Sequence, residues 1–303
     1  MHNNPDPDSI ASALMLKTIS ESRQIKTRIV YGGFLTRSEN RAMIAQLAIP
    51  VFPYENDEHT AYDLLALVDC QAGASNTVFP ANRKPDITFD HHIRELPRCG
   101  FFDIDTEVGA TATLVLKYLR KLNLPVSKQI ATAYCYALIS ETKDLDRGAT
   151  KEDIKYFEKL YGLADPVMLS RIRHAKKPIE YYGVLQKALQ QYKTVQNVIS
   201  CILGEVSSPE YISEIADVFI GIDGIDFTIV TGSHDLVNYV STRTSRENSN
   251  VASMLSEAIG KDGDSGGHTM IAAGAFTVAP EILITRFQRV ALRIPPNGAK
   301  NAY

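Results

Sequence analysis

With 303 residues, 45% of them hydrophobic and 22% charged, the chain has the composition of a globular protein of one large or two ordinary domains. A net charge of −3 argues against a non-specific duplex binder, which needs a basic surplus. No apolar run approaches the roughly 18 residues of a membrane span, and the polar, acidic N-terminus does not read as a signal peptide. The four scattered cysteines, without CxxC spacing, read as reduced thiols of a cytoplasmic protein.

The first segment is HNNPDPDSIAS, residues 2–12. Pro5 and Pro7 push Asn4 and Asp6 away from the helical region, which predicts an extended stretch with His2, Asp6 and Asp8 on one side. A helix follows over 9–20, capped by Asp8 or Ser9. An imidazole and two carboxylates converging at a helix N-terminus suit a hard divalent cation. Strands are then predicted over 27–31, 49–52, 64–69 and 87–90, and helices over 41–47, 108–122 and 127–140. Thr150 with Asp153 resembles a capping box that opens a helix to Tyr161. Residues 165–193 read as wholly helical and polar, as a connector does. A second alternating block follows, with strands over 198–206, 227–231 and 237–242 and helices over 209–219 and 251–259. The alternation predicts an α/β fold of two domains, the first built on a mainly parallel sheet. Their expected limits are 1–165 and 195–303, with the helical connector over 166–194.

Ligands of open α/β sheets gather at the carboxyl ends of parallel strands. The apolar run LLALVDC ends in Asp69, and PDITFDHH ends in Asp90, His91 and His92. After the apolar helix QIATAYCYALIS come Glu141, Asp144 and Asp146. Four groups of one chemistry, each at the end of an element, point to a metal centre. In the second half, Gly266, Gly267 and His268 would let backbone amides and an imidazole approach a phosphate or base. Arg243 and Arg246, in STRTSR, are candidates for a terminal phosphate.

HNNPDPDSIAS, LVDC, FDHHIRE and ALISETKDLDRGATKED resemble, in order, the four motifs of the DHH phosphoesterase superfamily, and GDSGGHTMIAAG resembles the glycine-rich signature of its DHH-associated domain. The resemblance implies an N-terminal parallel-sheet DHH domain and a smaller C-terminal α/β DHH-associated domain, joined by a helical linker. It implies two Mn²⁺ per chain, with Mg²⁺ or Co²⁺ able to substitute. His2 and Asp6 would hold one ion, Asp8 and His91 the other, and Asp69 would bridge them. Glu141 stands where the family usually has Asp, so either Glu141 or Asp144 completes the second set. His92 would contact the scissile phosphate or help protonate the leaving group, and Asp90 would orient a histidine. Gly266, Gly267, His268, Arg243 and Arg246 would bind substrate, although Ser265 replaces the first glycine of the usual GGGH.

The implied activity is Mn²⁺-dependent hydrolysis of short oligonucleotides, pAp, or linear or cyclic dinucleotides, in a cleft between the two domains. Duplex nucleic acid and membranes are not expected partners, and a homodimer is compatible with the reading. The alternatives are a pyrophosphate or short-polyphosphate hydrolase, and a catalytically degraded nucleotide-binding regulator. The family's first motif follows a central strand, whereas only Met1 precedes His2 here. The expectation is therefore a start upstream or a shortened chain, with an unpaired slot in the sheet.

Overall fold

Alternating helices and short apolar strands build the first of two units, Met1–Lys176 and Lys177–Tyr303. The computed structural model describes residues 1–55, 58–74, 76–80, 83–92, 100–146, 148–267 and 269–294. In chain order the first unit contains α1 (Pro7–Glu21), β1 (Ile29–Tyr31), α2 (Ser38–Gln46), β2 (Val51–Pro53), β3 (Ala66–Val68), β4 (Ile87–Asp90), β5 (Phe101–Ile104), α3 (Thr111–Lys121), α4 (Lys128–Glu141), α5 (Lys151–Tyr161) and α6 (Pro166–Arg173).

The core of this unit is formed by helices that are apolar nearly all round. In α4 every residue from Ile130 to Ile139 is buried, and in α1 every residue from Pro7 to Met15. A helix without a polar face must be enclosed by other elements. Here α1 packs against α3 and α4, which fixes the start of α1 in the interior, with Pro5 and Asp8 of HNNPDPD buried and Asn4 exposed.

All strand pairs of this unit are parallel, as the alternation predicts. They form two ladders rather than one sheet: β1 with β2, and β3–β4–β5. A cavity of about 220 Å³ is lined from both ladders, by Ile29 and Val30 on one side and Leu67 and Val68 on the other, with Met1 among its walls. The Val30 carbonyl accepts from the buried Met1 ammonium at 3.1 Å.

The second unit contains α7 (Ile179–Gln191), β6 (Lys193–Val195), β7 (Val198–Glu205), α8 (Glu210–Ile220), β8 (Phe227–His234), β9 (Val237–Thr244), α9 (Val251–Ile259), β10 (Gly263–Gly267), β11 (Ile271–Phe276) and α10 (Pro280–Ala291). Its sheet runs β10-β11-β9-β8-β7-β6 and is antiparallel except for β7 with β8. Val198, Phe227 and Ile229 pack with Leu255, Leu283 and Phe287 on one core, while Ile199, Val230, Ile215 and Phe219 build another. That division is the two-sided burial expected of central strands carrying helices.

Several boundaries differ from the sequence reading. The 165–193 stretch is two helices, because Pro178 bars Lys177 from helical geometry and α7 restarts beyond it. Leu169 and Ile172 of α6 join the first unit's core, and Tyr181 and Ala188 of α7 join a core of the second, so the expected connector is divided between the units. The helix expected from residue 108 starts at Thr111, with Ala110 extended before it. β5, β6, β10, β11 and α10 are not among the predicted elements, although α10 carries helical periodicity, with Leu283, Ile284, Phe287 and Ala291 on its buried face. In β10 the sequence GDSGG has no apolar alternation at all. It is a strand because β11 lies against it so closely that a Cβ at Gly263 or Gly267 would fall 2.1–2.2 Å from a backbone oxygen of β11.

Candidate metal centre

The centre is assembled from the loop before α1, the ends of β3 and β4, and the C-terminus of α4. The loop follows its own rules. Asp6 is extended and caps α1, accepting from the Ser9 amide at 2.9 Å, so neither Asp8 nor Ser9 is the cap. Pro7 at the first helical position, with φ already set, puts the helix start there. Asn4 is not extended but left-handed, with φ of 56°. Asparagine tolerates that region, and the loop after β1 holds it there: the Asn4 amide donates to Gly32 O at 3.0 Å, and its side-chain oxygen accepts from the Phe34 amide at 2.6 Å. Gly33, at φ +67°, suits this close approach because a Cβ there would lie 2.3 Å from the Asn4 side-chain oxygen and 3.1 Å from the Asn4 amide nitrogen.

His2 donates from Nδ1 to the Asn3 carbonyl at 2.8 Å, which directs Nε2 toward the acids. That nitrogen lies 3.5 Å from an Asp6 oxygen and 3.4 Å from Asp69 Oδ2. The other Asp69 oxygen lies 3.8 Å from His91 Nε2 and 3.7 Å from His92 Nδ1. His91 Nε2 is also 3.9 Å from Asp8 Oδ2 and 4.0 Å from Glu141 Oε1. Asp69 therefore stands between two groups of side chains, His2 with Asp6 on one side, and His91, near Asp8 and Glu141, on the other. Its backbone is left-handed, φ 60°, a conformation that costs a non-glycine residue about 1–3 kcal/mol and that often marks functional sites.

These residues fit a divalent cation. Two ligands on one ion with bonds of about 2.0–2.2 Å can be at most about 4.4 Å apart, and each histidine-to-carboxylate separation above lies inside that limit. Among the described residues, the ligand atoms of His2, Asp6 and Asp69 lie within 4.8 Å of one another, as do those of Asp69, His91 and His92. His91 Nε2 is buried, yet no group among the described residues lies within hydrogen-bond reach of it. An orphaned imidazole nitrogen surrounded by three carboxylate oxygens is what a cation between them would satisfy. The set of carboxylates and imidazoles, without a thiolate, suits Mn²⁺ or Mg²⁺ better than a structural zinc.

The electrostatics are consistent with this. Burial, followed by the charges of Asp69, Glu141 and Asp6, holds the Asp8 carboxyl well above the usual range, although the Ala112 amide opposes the shift. Burial would likewise raise Asp69, but the hydrogen bond from His2 and the charges of His2, His92 and His91 reverse it, leaving Asp69 well below the usual range. Burial would lower His2, and Asp6 and Asp69 instead raise it well above its ordinary value. A crowded set of buried acids favours positive charge beside it, which a bound cation would supply.

Asp90 lies one step out. Its Oδ1 accepts from His92 Nδ1 at 2.7 Å, and its Oδ2 accepts from Gln71 at 2.7 Å. The two acids left open after α4 point in different directions. Asp144 pairs with Arg173 on α6, whereas Glu141 faces His91. The turn that separates them is left-handed at Lys143, Asp144 and Leu145, with φ of 48°, 60° and 68°.

The candidates in the second unit are placed differently. Arg243 is not at an open strand end: it is buried, with Nε donating to Asp217 at 2.6 Å and the other nitrogens to Ser241, Thr242 O and Ser213 O. Arg246 is also buried, 3.3 Å from Asp226 and over the Phe227 ring. Both arginines thus have partners inside the fold. Gly266 borders open space, so backbone can be approached there, whereas Gly267, at φ +145°, serves the close pairing of β10 with β11. His268 lies outside the described residues. The sequence reading also missed Thr111, whose hydroxyl donates to Asp69 Oδ1 at 2.8 Å; a threonine at a helix start carries no signal of such a contact.

Residues 1–138 match the model of the DHH family, N-terminal domain. An uncharacterized protein of Methanocaldococcus jannaschii is 32% identical over 273 residues, 90% of this chain, and this chain spans 56% of that protein's length. A probable manganese-dependent inorganic pyrophosphatase of Staphylococcus aureus is 25% identical over 225 residues, covering 72% of this chain and 68% of its own length. The crystal structure of an exopolyphosphatase-related protein from Bacteroides fragilis shares the fold at a TM-score of 0.78 and 14% identity, over 96% of this chain and 90% of that one. The motifs that carry the candidate ligands all fall within or just beyond the matched residues, and residues 1–138 form a DHH family N-terminal domain.

Proposed function

We propose that this chain is a Mn²⁺-dependent phosphoesterase with two cations, acting on short nucleotide substrates: short oligonucleotides, pAp, or linear or cyclic dinucleotides. The observation that carries the reading is the position of Asp69, with one oxygen toward His2 and the other toward His91 and His92. His2, Asp6 and Asp69 would hold one ion, and Asp69, Asp8, His91 and Glu141 the other. Cations held by these residues would supply an activated water and charge neutralisation for in-line attack on phosphorus.

The protein's own part is positioning and proton supply. Asp90 anchors His92 through Nδ1, which fixes the ring and keeps it protonated. Burial would lower this imidazole, but the Asp90 hydrogen bond and the charges of Asp69, Asp90 and Glu141 hold it at about 9. A protonated imidazole beside the carboxylate cluster can bind a phosphate oxygen or donate a proton to the leaving oxygen.

The nucleotide assignment is supported by the likeness of GDSGGHTMIAAG to the DHH-associated signature and by the open space at Gly266. A phosphoanhydride substrate is the second reading, favoured by the similarity to a protein named as a manganese-dependent pyrophosphatase. A hydrolysis panel with Mn²⁺ tests both, using pAp, a linear dinucleotide, a cyclic dinucleotide, a short oligoribonucleotide, pyrophosphate and short polyphosphate. Turnover of nucleotides with pyrophosphate spared supports the first reading, and the opposite ranking replaces it. No turnover of any of them, together with no Mn²⁺ binding, rejects the phosphoesterase assignment.

A further inference from the structure

The start of α3 touches the candidate metal centre on one side and a buried carboxylate from α5 on the other. Toward the centre, the Thr111 and Ala112 amides donate to the two Asp8 oxygens at 2.7 and 2.8 Å. The Thr111 hydroxyl donates to Asp69 Oδ1 at 2.8 Å. On the opposite side, the Gly109 amide donates to Asp153 Oδ2 at 2.8 Å and the Thr113 hydroxyl to Asp153 Oδ1 at 2.5 Å. Asp153 also takes the Thr150 amide and hydroxyl at 2.8 and 2.6 Å. Its carboxylate therefore satisfies the cap of its own helix and clamps a second helix start at the same time. Thr111, Thr113 and Asp153 are fully buried.

We propose that Thr111 and Asp153 are positioning residues of the cation site: Thr111 sets the rotation of the Asp69 carboxylate, and Asp153 fixes the 109–113 segment that holds Asp8. This rests on the metal reading above and deepens it.

The argument is geometric. A carboxylate that must face two ligand sets functions only at one rotation about its last side-chain bond. Of the hydrogen bonds described to Asp69 Oδ1, the one that comes from outside the ligand sets is that of Thr111. Asp8 is held in the same way, since amides on both its oxygens fix the plane in which its remaining lone pairs point. Neither arrangement survives a shift of the 109–113 backbone, and that backbone is tied to Asp153 at both ends. The packing leaves no slack: a Cβ at Gly109 would lie 2.7 Å from Gly148 O and 2.9 Å from Asp153 Oδ2. Partners that orient metal ligands typically matter 10–100-fold in metal affinity.

The test is Mn²⁺ titration of the full chain by calorimetry, with the melting temperature of the metal-free protein measured in parallel. Thr111→Val keeps the shape and the amide to Asp8 but removes the hydroxyl; Thr111→Ser restores it. The expected result is a Mn²⁺ affinity about 10–100-fold weaker in Thr111→Val and largely recovered in Thr111→Ser. Asp153→Asn should weaken affinity as well, and the threonine pair decides the matter if that variant does not fold. Wild-type affinity in Thr111→Val, or equal losses in the valine and serine variants, overturns the positioning role. A wild-type chain that binds no Mn²⁺ overturns the metal reading itself, and the two failures are thereby distinguished.

Discussion

His92 donates from Nδ1 to the Asp90 carboxylate at 2.7 Å, and this pair sets the charge at the rim of the centre. The imidazole is held at about 9, above its ordinary 6.5. Because the folded value is the higher one, the pair's contribution to stability is fully present below about pH 6.5 and is lost as pH rises through about 9. Melting of the metal-free chain across that range should show the decline, and Asp90→Asn should flatten it. An equally steep decline in Asp90→Asn would remove the pair as its cause.

Asp69 turns one oxygen toward His2 and the other toward His91, as a bridging ligand would. Asp69→Asn should therefore impair both cation sites, where a ligand of one set would impair one. Mn²⁺ stoichiometry by equilibrium dialysis reads this directly: Asp69→Asn should bind fewer than one ion with high affinity, while Asp6→Asn should keep one. Retention of two tight ions in Asp69→Asn contradicts the bridging position.

Glu141 faces His91, and Asp144 faces Arg173. Glu141→Ala should lose affinity at the site that contains Asp8 and His91, whereas Asp144→Ala should bind Mn²⁺ as the wild type does. An exposed ion pair such as Asp144 with Arg173 contributes on the order of 0–1 kcal/mol, so that variant should melt within a few degrees of the wild type. The reverse pattern of metal affinities would hand the ligand role to Asp144.

The Met1 ammonium is buried against Val30 O, and burial pushes its pKa down from the ordinary value. Peptide-bonding a short apolar, β-branched segment to it should replace a buried charge with a neutral amide and place side chains in the cavity between the two ladders. Each kcal/mol gained raises the melting temperature of a unit this size by about 2–4 °C. Differential scanning calorimetry should show that rise, and an unchanged or lower melting temperature would mean that the cavity does not accept a strand.

Arg243 was read from the sequence as a phosphate ligand, and its structural setting predicts a different phenotype. Its guanidinium has internal acceptors on every side described, so Arg243→Ala should destabilise the second unit by on the order of 2–3 kcal/mol. Chemical denaturation measures this. A variant of unchanged stability that binds substrate poorly would restore the ligand role.

The sequence by itself determined the α/β alternation, the parallel pairing of the first unit, and the residues gathered at its centre. Asp69, Asp90, His91 and His92 end apolar runs, and residues at the ends of parallel strands converge because the strands themselves are side by side. HNNPDPD was legible for a related reason, since proline and the helix start restrict it locally. Which partner each side chain meets was decided by tertiary structure. Nothing local distinguishes Glu141 from Asp144; a left-handed turn sends one toward His91 and the other toward Arg173. Asn4 is left-handed because of a loop 30 residues away. Arg243 and Arg246 looked like an exposed basic strand end until Asp217 and Asp226 closed on them. Thr111 and Asp153 are 42 residues apart in the chain and meet the centre only through the packing of α3 and α5 around α4. Periodicity reports which face of an element is buried, whereas hydrogen-bond partners drawn from distant elements are fixed only when those faces come together.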